Sequence, residues 1–154
     1  MERPSITIAR SLRQMAVRLA YFQDNGEYSY IDKYEEVTSW ISATCKKLIT
    51  YKGETAEEEA EILLAVLVGY STTIRDEQNI HQAVQRTYKV LPRLSHSLLK
   101  CQLLTYCYGE EYDKDLSLEA ERIISSWSGR ELNEEERRIQ QLLKDFQKNE
   151  QLFG

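Results

Sequence analysis

The sequence predicts an all-α fold of about seven helices, arranged as stacked antiparallel helical hairpins in a compact or slightly superhelical bundle. Three observations predict it. The chain of 154 residues has only six glycines and two prolines, whereas a β-sandwich or barrel needs a turn roughly every 8–12 residues, usually built from these residue types. Apolar residues recur at three- and four-residue spacing from one end to the other, the period that lays a stripe along one side of a helix. Two apolar-periodic runs are also preceded by capping-box spacing, Thr55 with Glu58 and Asn133 with Glu136.

Taken in order, the first helix carries Ile8, Leu12, Met15, Ala16 and Leu19 on one stripe, with Ser5 placed as its N-cap after Pro4. The run QDNGEYS at 23–29 breaks the pattern. A second helix is expected over about 30–51, with Tyr34, Val37, Ile41 and Leu48 inward, Trp40 beside them, and Gly53 in left-handed conformation past its end. The third begins at Thr55, has Glu57, Glu58, Glu59 and Glu61 where the helix dipole favours negative charge, and becomes apolar nearly all round over 62–68. A helix of that kind is buried by neighbours on several sides and is placed at the centre of the fold. The fourth, about 77–91, turns Ile80, Val84, Tyr88 and Leu91 to one side and stops at Pro92. Ser95 opens a fifth that ends at Gly109, with Leu98, Leu99, Leu103, Leu104 and Tyr106. The sixth, about 115–128, has Leu116, Ala120, Ile123 and Trp127 in register before Gly129. The seventh follows the Asn133 box with Ile139, Leu142, Leu143 and Phe146. Segments 63–70 and 99–106 echo one another, as do Ala83 and Ala120, at offsets of 36 and 37 residues, close to a helix-pair repeat. The whole of 1–154 is expected to be a single helical domain.

Composition narrows the function. Hydrophobic residues at 42% and charged residues at 29% are those of an ordered globular chain. With 20 basic against 25 acidic side chains, net −5, the chain is poorly suited to displacing counterions from nucleic-acid phosphates. Arg10, Arg13 and Arg18 are spread around the first helix and are expected on a solvated face. No stretch approaches the roughly 18 apolar residues of a membrane span or the apolar core of a signal peptide, so a cytoplasmic protein is expected. Cys45, Cys101 and Cys107, an odd number in apolar neighbourhoods, are expected as reduced core thiols.

Constellations for catalysis or metal binding do not assemble. The acidic loop around Glu110, Glu111, Asp113 and Asp115 fails as a calcium loop, because counting from Asp113 puts Leu118 where an EF-hand needs glycine. It reads as a helix C-cap followed by a negatively charged helix start. His81 and His96 have no second ligand at helical or turn spacing, and no nucleophile elbow, phosphate-binding glycine loop or zinc-helix motif occurs. No cofactor is expected and the chain is not read as an enzyme. Tyr, Trp and Arg are the residue types enriched in interface hot spots. Tyr106 and Trp127 lie on apolar stripes and belong to the core. Tyr108, Glu110, Glu111, Tyr112 and Asp113, flanking a loop, and Arg130 are the candidate partner-binding residues.

Two blocks, EEEAEILLAVLVGYSTTIRDE (57–77) and LLTYCYGEEYDKDLSLEAERIISSWSGRELNEEER (103–137), together resemble the UpxZ family, small bacterial regulators of capsular polysaccharide loci. The similarity extends over most of the chain, least over 1–50, and LLTYCYGE (103–110) is its most distinctive part. The resemblance implies a transcription antitermination antagonist that binds and inhibits NusG-like antiterminators encoded by other capsule loci. It supplies no residue assignment for the interface. The rival reading is a helical scaffold with a groove for a peptide, unrelated to transcription.

Overall fold

The structure, a computed structural model, describes residues 3–24 and 31–153, with the backbone alone at 21–24 and 31–33. Among the described residues the fold is all-α, with seven α-helices, α1 (Pro4–Asp24), α2 (Ile31–Leu48), α3 (Ala56–Tyr70), α4 (Glu77–Val90), α5 (Leu98–Glu111), α6 (Lys114–Ser125) and α7 (Glu134–Phe153), and a 3₁₀ turn at Leu91–Arg93. The chain divides into two compact units, residues 1–86 and 87–154.

In the first unit α1, α2 and α3 pack against one another. The inward stripe of α1 is Ser5, Ala9, Leu12, Ala16 and Leu19, all buried, while Ile8 and Met15 are only half-buried. Helix α3 is the centre that its sequence implies: every residue from Ile62 through Tyr70 is buried. Thr55 caps it, its side chain accepting the Glu58 N–H at 3.1 Å. The return contact goes to the Glu54 N–H at 2.9 Å rather than to Thr55. Two expectations need correction. Pro4, not a residue after Ser5, opens α1: Ile6 N–H bonds the Arg3 carbonyl at 3.0 Å, and proline suits the first helical turn because its missing N–H would have no partner there. Gly53 is not left-handed, since Gly129 alone among the described glycines has a positive φ. Its smallness serves close approach instead, because a Cβ at 53 would stand 2.2 Å from the Glu59 backbone nitrogen.

A polar brace locks the α2–α3 connection. Arg86 of α4 donates from Nε and Nη2 to the two Glu59 oxygens at 2.9 Å each, from Nη1 to the Ile49 carbonyl at 2.7 Å, and from Nη2 to the Tyr51 carbonyl at 2.6 Å. Glu59 also accepts the Gly53 N–H at 2.9 Å. Burial works against the Glu59 charge, but the Arg86 bond and charge, the Gly53 N–H and Lys52 outweigh it and hold its carboxyl below the usual value. The arginines of α1 are less uniformly solvated than expected. Arg13, 20% exposed, comes within 3.6 Å of Glu61 on α3, while Arg18 is exposed.

In the second unit α5 packs on α6 and α7, and α6 on α7. Ser97 rather than Ser95 caps α5, accepting the Lys100 N–H at 3.1 Å. Helix α5 continues through Gly109 to Glu111. Gly109 sits under the Phe146 ring of α7, which a Cβ would meet at 2.5 Å. The Asn133 capping box of α7 closes reciprocally: Glu136 N–H to Asn133 Oδ1 at 2.8 Å and Asn133 N–H to Glu136 Oε1 at 2.9 Å. Lys100, in the middle of an apolar stripe, is buried yet satisfied, with Nζ 2.6 Å from Glu119 Oε2 and 3.1 Å from the Leu94 carbonyl. All three cysteines are free and buried, and burial pushes each thiol up to about 12.

Candidate functional site

The expected binding residues all fall in the second unit, where the structure separates them by task. Tyr108 is corrected from a surface position: its side chain is 1% exposed, because the last turn of α5 faces α7 instead of solvent. Its hydroxyl donates to the Glu150 carboxylate of α7, and burial together with that bond raises its pKa. Asp113 is the N-cap of α6, accepting the Asp115 N–H at 3.1 Å, and its other oxygen accepts the Tyr88 hydroxyl at 2.8 Å. Arg130 grips Glu136 with two bonds, at 2.9 and 2.5 Å, and lies 5.8 Å from the Trp127 ring. That grip, with the Asn133 backbone bond, lowers Glu136 to about 2. The six residues therefore do not form one cluster, since Asp113 precedes α6 and Arg130 follows it, a helix about 18 Å long at 1.5 Å per residue.

What remains at the surface is the end of α5. Glu110 is half-exposed, Glu111 exposed and Tyr112 half-exposed. Tyr112 is the helix C-cap in the left-handed conformation, φ 52° and ψ 30°, its N–H bonding the Tyr108 carbonyl at 2.7 Å. A non-glycine residue held there carries strain on the order of 1 kcal/mol. Its ring stands edge-on to Tyr108, centroids 5.7 Å apart and planes at 71°. The loop that fails as a calcium site is thus a C-cap joined directly to an N-cap, with Tyr112 rather than Gly109 in the cap position.

The sequence reading missed features on the first unit. Trp40, expected beside the inward stripe of α2, is 43% exposed, and Ile74 is 87% exposed. At about 3.6 residues per turn, Ile41 shares a side of α2 with the buried Thr44, Cys45 and Leu48. Trp40 falls beside that side, on the exposed edge with Glu36, Ala43 and Lys47; that offset was the available signal. An open groove of about 740 Å³ lies between α2 and the turn after α3, lined by Tyr34, Thr38, Ser42, Lys46, Thr72 and Ile74. Its threonine hydroxyls bond the backbone: Thr38 donates to the Tyr34 carbonyl at 3.0 Å, Thr72 to the Gly69 carbonyl at 3.0 Å and Thr73 to the Thr38 carbonyl at 3.2 Å. Among the described residues no three His, Cys, Asp or Glu side chains converge as metal ligands, and no helix is long and apolar enough to cross a membrane.

Among the candidate residues Tyr108, Asp113 and Arg130 are taken up by helix packing and caps, and the end of α5 is left at the surface. The fold is an all-α helical bundle. The pattern of the UpxZ family of transcription anti-terminator antagonists matches residues 9–109. The crystal structure of a transcription anti-terminator antagonist UpxZ from Bacteroides uniformis, solved at 1.68 Å, superposes with a TM-score of 0.87 at 30% identity, covering 96% of this chain and 95% of that one. No curated protein matches the chain. The chain belongs to the UpxZ family of transcription anti-terminator antagonists, a family of regulators rather than enzymes.

Proposed function

We propose that this protein acts in the cytoplasm by binding NusG-like transcription antiterminators of heterologous capsular polysaccharide operons and inhibiting them. Membership of an antagonist family supports the reading most directly. The antagonist would cover the antiterminator face that docks on polymerase or keep it from nascent RNA. A net charge of −5 steers encounter with a basic partner surface and discriminates against partners of the wrong charge.

The observation that supports a contact at the end of α5 is Tyr112. It is a half-exposed tyrosine fixed in a strained left-handed cap, backed by Tyr108 and flanked by Glu110 and Glu111. A rigid aromatic beside carboxylates presents contact area with little left to order on binding. Tyr108 and Asp113 then act behind this contact as supports of helix packing and capping, while Arg130, beyond the other end of α6, holds the α7 capping box.

Titration of purified protein into a panel of NusG-like antiterminators, its own and those of other loci, tests the function. Binding to non-cognate members and not to its own is expected; a folded protein that binds none contradicts the proposal. Tyr112→Gly tests the placement. Glycine relieves the left-handed strain, so stability should hold within about 0.5 kcal/mol while partner affinity falls at least tenfold. Unchanged affinity would move the contact elsewhere.

A further inference from the structure

We infer that the exposed face of α2 seats a second copy of this chain, the two α2 helices packing antiparallel about a twofold axis near position 41. Helix α2 turns Ile41, Thr44, Cys45 and Leu48 inward, where all four are buried. Its opposite stripe is exposed, with Glu35 and Glu36 near the start, Trp40 and Ala43 in the middle, and Lys46 and Lys47 in the last turn. Trp40, 43% exposed, is a large aromatic at the centre of a helix face, the residue type that anchors interfaces most often.

The charges decide the occupant. Among the described residues none of the four end charges enters an ion pair within the chain. Acidic residues at one end and basic at the other form a pattern that is complementary to itself after a half-turn. An antiparallel copy places Glu36 opposite Lys47, and Lys47 opposite Glu36, in a single register. The two charge pairs then lie about 16 Å apart, eleven residues at 1.5 Å each. The same register sets Trp40 of each copy against Ala43 of the other, large against small, on either side of the axis. A parallel copy would put like charges together. Opposed helix dipoles favour the antiparallel choice as well. An unrelated helical partner needs to complement the stripe only once. Complementarity to its own inverse is the requirement of an isologous dimer. A single helix pair is a small interface, so weak, reversible association is expected.

Sedimentation of the full chain from about 1 to about 200 µM tests this, beside two variants whose helicity is checked by circular dichroism. Glu35→Lys with Glu36→Lys makes all four end charges basic; Lys46→Glu with Lys47→Glu makes them all acidic. The wild type should pass from monomer to dimer over the range. Each variant alone should stay monomeric, their equimolar mixture should dimerise, and Trp40→Ala should weaken wild-type association about tenfold. A monomeric wild type, variants that dimerise as well as wild type, or a mixture that fails to associate would overturn the inference. So would a monomer whose stripe variants lose antiterminator binding, which would assign α2 to that partner.

Discussion

Replacing Arg86 by Met should be among the most damaging single changes in the first unit. The guanidinium makes four hydrogen bonds, two to Glu59 and one each to the Ile49 and Tyr51 carbonyls. The two side chains are 12% and 16% exposed. Breaking a fully buried ion pair costs about 3–5 kcal/mol, mostly because the remaining charge is stranded. Residual solvent access at Glu59, and the Gly53 N–H it keeps, reduce that to about 2 kcal/mol. The buried Ile49 carbonyl loses its donor for about 1 kcal/mol more. The total is about 3 kcal/mol, equivalent to a fall in Tm of roughly 9 °C for a chain of this size. Urea unfolding, read as a shift in midpoint at constant slope, measures it. Arg86→Lys should recover only part, because an ammonium cannot fork across both carboxylate oxygens while reaching two carbonyls. Adding Glu59→Gln to Arg86→Met should regain about 1 kcal/mol, since the stranded charge goes with it. The pH dependence has a definite sign. Glu59 is lowered in the folded state from 4.5, so its contribution is fully present above that value and is lost as pH falls through the folded pKa. The gap between wild type and Arg86→Met should therefore stay level above about pH 5 and narrow on acidification. A loss under about 1 kcal/mol, or a gap that widens in acid, would refute the reasoning.

Other outcomes follow from the same geometry. Gly53→Ala drives a Cβ against backbone, which no rotamer can relieve, and should lower stability by about 3 kcal/mol in urea unfolding. Gly109→Ala pushes on the Phe146 ring and should cost about 2 kcal/mol, with Phe146→Leu relieving part of the strain so that the double variant falls short of additivity. Asn133→Ala removes the α7 cap for about 1 kcal/mol. The three buried thiols, with pKa values pushed up to about 12, should resist a disulfide reagent at neutral pH in the native protein and all react in denaturant. If 1–154 is one folding domain, a single calorimetric transition is expected; two resolved transitions would assign independent stability to the units 1–86 and 87–154.

Helix count, approximate bounds and the centrality of α3 were legible in the sequence because a two-turn apolar run admits one environment, and because the capping spacings at Thr55 and Asn133 act locally. The misplaced ends have two causes: Pro4 and Ser97 open the helices at which Ser5 and Ser95 were expected as caps, and Gly53 and Gly109 serve close packing instead of ending helices. Gly53 answers to Glu59 and Gly109 to Phe146, and no local rule sees either contact. The candidate site was legible as a place but not as a list. The exposed end of α5 at 110–112 was picked out by its charge and aromatic content. The burial of Tyr108, by contrast, depends on α7, whose Glu150 receives its hydroxyl 42 residues later. Arg130 was picked by residue type, yet its work is to hold the Glu136 capping box, a role that the spacing from 130 to 136 only suggests in retrospect.

The central claim is best tested by transcription in a purified system, with RNA polymerase, a template carrying terminators, and one NusG-like antiterminator at a time. The account predicts that this protein abolishes read-through driven by antiterminators of other loci, leaves read-through with its own intact, and loses the effect in the Tyr112→Gly variant. Read-through that stays unchanged with every antiterminator, while the protein remains folded, would contradict it.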